Sequence, residues 1–67
     1  MPDPDISALF HQLNNQLGVI LANAELLESR LTDENQKARA GLVVTGALEA
    51  IGTAKRIKQL TGGASLQ

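Results

Sequence analysis

The chain of 67 residues has no cysteine, no tryptophan and no tyrosine, and it carries one phenylalanine and one histidine. Without cysteine it forms neither a disulfide nor a thiolate zinc site. One imidazole cannot build a multi-histidine metal site within a chain, so no metal is expected. The opening stretch "MPDPDIS" is acidic and has no apolar core, unlike an export signal. Together with the missing cysteines, this predicts a cytoplasmic location. No apolar run approaches the roughly 20 residues that span a bilayer, so no membrane contact is expected. Six basic and seven acidic residues give a net charge of −1. With so little aromatic content, the chain has neither the basic surface nor the stacking platform that nucleic acid requires. Proline is confined to positions 2 and 4, so nothing after Pro4 forces a helix to stop.

A domain this short buries a small share of its surface and is often marginal alone. With disulfides and metals excluded, association with other copies is the remaining source of a core.

The segment "PDPD" is a helix entry: Asp3 can cap, Pro4 suits the first helical position, and Asp5 complements the positive end of the helix dipole. Apolar residues then recur at Ile6, Phe10, Leu13, Leu17, Ile20, Ala24, Leu27 and Leu31, in steps alternating between four and three. That is an unbroken heptad seam. Leu9, Leu21 and Leu26 widen it to the breadth of a helix that touches two others. The pattern breaks at "LTDEN", where Thr32 or Asp33 can cap a second helix. That helix presents Ala40, Val43, Val44, Ala47, Leu48, Ile51, Ala54 and Ile57 on one broad face. Lys55, Arg56 and Lys58 gather near its expected end, and Gly62-Gly63 are expected to stop it. Gly41, Gly46 and Gly52 lie inside it, each costing about 1 kcal/mol relative to alanine. Close backbone packing and built-in pliability are both open as reasons for them.

The expected fold is all-α: one domain over residues 1–67, with helix 1 at about 4–31, a turn at 32–35, helix 2 at about 36–61 and a tail at 62–67. A lone antiparallel hairpin would leave half of its apolar stripe in water. Two copies forming a four-helix bundle would cover it, so a homodimer is expected.

With Phe10 at heptad position a, His11 falls at b and Asn15 at f, off the seam. Gly18 and Ala22 continue the same strip, leaving it poor in side chains below the imidazole. Such a strip suits partner docking, although an exposed His, Gly or Ala means nothing taken singly. In a hairpin turning near residues 32–35, positions whose numbers sum to about 67 lie at one level, which brings His11 near Lys55, Arg56 and Lys58. These cations could stabilise a phosphoryl group or attract an acidic partner. Dipole complementarity at a helix C-terminus explains them equally well.

The segment "FHQLNNQLGVILANAELL", Phe10 to Leu27, resembles the H-box of two-component sensor histidine kinases: a histidine, usually an acidic residue, an apolar residue, two polar residues, often proline, then leucine and an apolar run ending in Glu-Leu-Leu. His11, Leu13, Asn14, Asn15, Leu17, Ile20, Glu25, Leu26 and Leu27 fit that pattern. The resemblance covers helix 1; helix 2 is similar only in length and pattern. It implies a dimerisation and histidine-phosphotransfer domain, a hairpin pairing into a four-helix bundle. It makes His11 the phosphoacceptor, Asn15 a candidate for positioning water, and a response-regulator receiver domain and a kinase ATPase domain the partners. Imidazole suits the chemistry because a good share of it is neutral and nucleophilic near neutral pH.

Two positions depart from the family. Gln12 stands where Glu or Asp is usual: its amide oxygen can still accept the ring N–H but brings no charge. Gln16 stands where proline is common. The chain has no nucleotide-binding glycine box and no Asp-x-Gly motif. No cofactor is therefore expected within it, and ATP would act only through a separate catalytic domain. Gln12 keeps a second function open: a non-catalytic hairpin that only dimerises, or that binds and regulates a kinase or response regulator.

Overall fold

A computed structural model describes residues 4–65, with side chains for residues 6–61. The chain forms two helices, α1 (Pro4–Arg30) and α2 (Glu34–Ser65), packed as a hairpin. The molecule measures 51 × 16 × 10 Å. Its radius of gyration of 15.4 Å exceeds the roughly 11 Å of a rounded domain of this length.

The helix boundaries follow local chemistry. α1 begins at Pro4, whose missing N–H costs nothing in a first turn. Asp3, the expected cap, lies outside the described residues, as does the side chain of Asp5. At the start of α2, Asp33 Oδ1 accepts the backbone N–H groups of Asn35 at 2.8 Å and Gln36 at 3.0 Å. Asp33, rather than Thr32, is therefore the cap.

The far end of α2 differs from expectation. The helix runs through Gly62 and Gly63 to Ser65 instead of ending near 61. Glycine raises the cost of a helix by about 1 kcal/mol per residue but does not block its hydrogen bonds as proline does. One consequence is electrostatic. No basic residue lies in the last turn of α2. Lys55, Arg56 and Lys58 are too far from that end for dipole complementarity to account for them, since the effect fades within a turn.

Packing follows heptads, but not the seam that the spacing of apolar residues suggests. With Phe10 and Ala40 each at position a, the residues on the α2 side are Phe10, Asn14, Leu17, Leu21, Ala24 and Glu28 of α1 and Leu31 just beyond it, positions a and e, with Gly18 at b half-buried beside them. The d residues Ile6, Leu13, Ile20 and Leu27 stay exposed. On α2 the buried residues are Ala40, Ala47 and Ala54, one per heptad and only 4–7 % exposed, and Ala24 is their one buried counterpart on α1. Alanine at these three a positions keeps the side chains facing α1 small; the fourth a residue, Thr61, is exposed. No large side chain is fully buried among the described residues.

The register matches a turn centred on residues 31–36. Leu31 and Gln36 line one groove with Leu27 and Ala40. A second groove joins Ile20, Ala24 and Leu27 to Ala40 and Val43. The d rows of both helices therefore flank the same side of the hairpin. The opposite side is marked by Glu28, whose Oε2 lies 3.1 Å from where a Cβ on Gly41 would stand. Of Gly41, Gly46 and Gly52, only Gly41 meets a neighbour; the other two face open space. Gly41 meets only the far end of the flexible Glu28 side chain, so within the hairpin none of the three marks a close approach of backbones.

Candidate functional site

His11 stands on the first half of α1 and its side chain is exposed. At about 100° per residue, Asn15, Gly18, Ala22 and Glu25 fall within a narrow arc around it. The strip points away from the exposed d row, about 150° around the helix. Asn15 and Ala22 are exposed and Gly18 is half-buried, with nothing within 4 Å of the place its Cβ would occupy. The surface beside the imidazole is thus open and low, as the residue types imply.

Gln12 is exposed and lies one step, about 100°, around the helix from His11. Neighbours one apart on a helix do not face each other. Asn14 is three residues from His11 and half-buried toward α2, and its Oδ1 is buried without a hydrogen-bond partner.

The register sorts the three cations of α2. Lys55 occupies the b position of α2, on the flank that Gly41 shares with Glu28, and lies at the level of His11. Lys58, at e, lies on that flank about one turn further toward the open end. Arg56, at c, projects from the far side of α2, about 100° from Lys55. The fold therefore groups His11 with Lys55 and Lys58 and sets Arg56 apart. All three cations are exposed.

One residue on this flank does not stand out in the sequence as part of a site. Leu48 belongs by spacing to the broad apolar face of α2, but it is 53 % exposed. Like Lys55 it is at position b, and it lies level with Gly18. It is a bulky apolar side chain on an otherwise low surface. Its one sequence signal is its place one residue after the alanine row.

Among the described residues no group of three His, Cys, Asp or Glu side chains could hold a metal ion. No helix there is long and apolar enough to cross a membrane. What the site offers chemically is one exposed imidazole, the amides of Gln12, Asn14 and Asn15 within about a turn of it, and a lysine on the same flank of the other helix. Comparison of the chain with family models, with curated proteins and with solved structures gives no significant match.

Proposed function

We propose that this hairpin is a histidine-phosphotransfer and dimerisation module of a two-component signalling system. The observation that carries the reading is the separation of two faces on α1. The d row (Ile6, Leu13, Ile20, Leu27) is exposed on one side, and His11 with its low strip is exposed on the other. A second hairpin can cover the first face and leave the imidazole accessible.

Surface area supports the pairing. The hairpin exposes 5355 Å² at a mass of 7.1 kDa. A rounded monomer of that mass exposes about 4,100 Å². The excess, about 1,300 Å² per chain, is of the size that an obligate homodimer interface removes from each partner. Two hairpins joined on this face make a four-helix bundle.

In the proposed reaction a ring nitrogen of His11 donates its lone pair to phosphorus. The bond from phosphorus to the leaving oxygen breaks, either to ADP on a kinase ATPase domain or to an aspartate carboxylate of a receiver domain, and the reverse step passes the group on. Lys55 on the same flank offsets the charge of the transferred group. Asn15, about one turn along from His11, supplies an amide that can orient the ring or a water but cannot itself titrate.

The test is incubation with a kinase ATPase domain and ATP, or with an aspartyl-phosphorylated receiver domain, followed by an assay for acid-labile phosphate on the chain. Label on the wild type and none on His11→Gln is expected. No label, or equal label on both, overturns the reading. Gln12, in place of a carboxylate, favours a second reading, a hairpin that binds a receiver domain without accepting phosphate. Receiver binding that survives His11→Gln in an unlabelled protein would establish that one.

A further inference from the structure

The pairing face holds a detail that the hairpin alone does not explain. Gly46 is an exposed helical glycine with nothing within 4 Å of where its Cβ would stand. It is at position g of α2, on the side where Val43 shares a groove with Ile20 and Leu27. Next to it on that side comes Ala50, and the large residues, Val43 and Ile57, stand above and below. α1 offers the converse pattern: Ile6, Leu13, Ile20 and Leu27 are large, evenly spaced and 39–55 % exposed. The polar residue Asn23 on this side has turned its amide inward, donating from Nδ2 to the Val19 carbonyl at 2.8 Å. That donor needs no water when the face is covered.

We infer that a second copy of this chain packs its α1 against α2, with Ile20 of each copy seated over Gly46 of the other. Volume decides the pairing. α1 against α1 would leave the open surface at Gly46 uncovered, and α2 against α2 would leave the exposed d row of α1 uncovered. α1 against α2 sets large on small, twice by symmetry. Level decides the residue, because Ile20 lies opposite residue 47 in a register summing to about 67. The inference rests on the dimeric part of the function proposed above and is independent of phosphorylation.

Gly46 and Gly52 separate close approach from simple helix propensity. Both are exposed, helical and open in the hairpin, but Gly52, at position f, lies on the His11 side of α2. By propensity alone, alanine at either site strengthens the helix. With Ile20 seated over Gly46, Gly46→Ala raises the dimer dissociation constant at least about tenfold and Gly46→Leu about a hundredfold or more, while Gly52→Ala leaves it unchanged or lowers it. Sedimentation equilibrium across a dilution series reads these constants.

Should Gly46→Leu fail to fold, cross-linking answers the same question, since the native chain has no cysteine to interfere. A tagged Ile20→Cys chain mixed with an untagged Gly46→Cys chain is expected to give the mixed disulfide within minutes of mild oxidation, and an Ile20→Cys with Gly52→Cys mixture is not. A wild-type dimer that Gly46→Leu leaves intact, or equal cross-linking in both mixtures, overturns the seat but keeps the dimer. A wild-type monomer at all concentrations overturns both. Neither result bears on label at His11.

Discussion

Replacing Ala47 by leucine tests the central packing feature of the hairpin. Ala47 is 7 % exposed, and Ala40 and Ala54, one heptad to either side, are 5 % and 4 % exposed. Leucine adds three carbons. Were there room, their burial would stabilise the fold by about 2.4 kcal/mol, at about 0.8 kcal/mol per methylene. The alanine row leaves little such room, because Ala47 is already almost wholly covered in the hairpin. The helices would have to part by about 2 Å, toward the 10 Å end of ordinary helix spacing. Since Ala40 and Ala54 lie only about 10 Å away along the axis, the parting loosens their contacts with α1 as well. The transfer gain is forfeited and overpacking typically costs 1–3 kcal/mol. We expect a net loss of about 2 kcal/mol, or a melting temperature lower by roughly 8–16 °C for a domain of this length. Thermal unfolding followed by circular dichroism at fixed chain concentration measures it. Ala38→Leu makes the same chemical change at an exposed position of the same helix and should shift stability by less than about 0.5 kcal/mol. If Ala47→Leu melts at or above the wild type, the helices are not held together at the alanine row and the described packing is wrong.

Asp33→Ala should cost about 1 kcal/mol by leaving the Asn35 and Gln36 amides without their acceptor, while Asp33→Asn should retain most of the wild-type stability; equal losses in the two would show that capping is not the role of this side chain. Asn14→Leu should stabilise the protein by about 1–2 kcal/mol in urea unfolding, because it replaces a buried, unpartnered carbonyl with apolar surface of similar size; destabilisation would mean that the amide finds a partner in the assembled protein. The melting temperature should rise with chain concentration, each tenfold increase contributing about 1.4 kcal/mol to a dimer; a concentration-independent transition would identify a self-sufficient monomer.

The hairpin is legible from sequence because the signals for it are local. The alternation of fours and threes from Ile6 to Leu31, the entry at Pro4 and the cap at Asp33 each act within a turn or two of the chain. What periodicity does not carry is the identity of the neighbour. Phe10, Leu17, Ala24 and Leu31 and the intervening Leu13, Ile20 and Leu27 read as one seam, yet α2 screens only the first set, and the a/e packing draws in Asn14 and Glu28. Small and large side chains count alike in an apolar pattern, so the bare sequence puts the alanine row and Leu48 on one broad face without saying which of them α1 covers. The continuation of α2 past Gly62 is equally hidden, since glycine weakens a helix by degrees whereas proline ends it. At the candidate site, the exposure of His11 and its low strip follow from heptad position alone. The division of Lys55 and Lys58 from Arg56 needs the register and handedness of the pair.

The hairpin buries a row of alanines and leaves most of its large apolar side chains among the described residues exposed. If the proposed dimer forms, folding and partner choice are one event, and the supply of copies sets the folded fraction. Inheritance follows the same rule. In the proposed dimer, a variant that loses His11 would keep the whole pairing face and would be recruited into mixed bundles with intact copies. At equal expression about half of all bundles would then hold one reactive imidazole and a quarter would hold none, by random assortment. Substitutions in the alanine row or at the d positions would withdraw the chain from that dimer and spare its neighbours. Lesions at the histidine should therefore be felt by the wild-type copy, and lesions in the core should not.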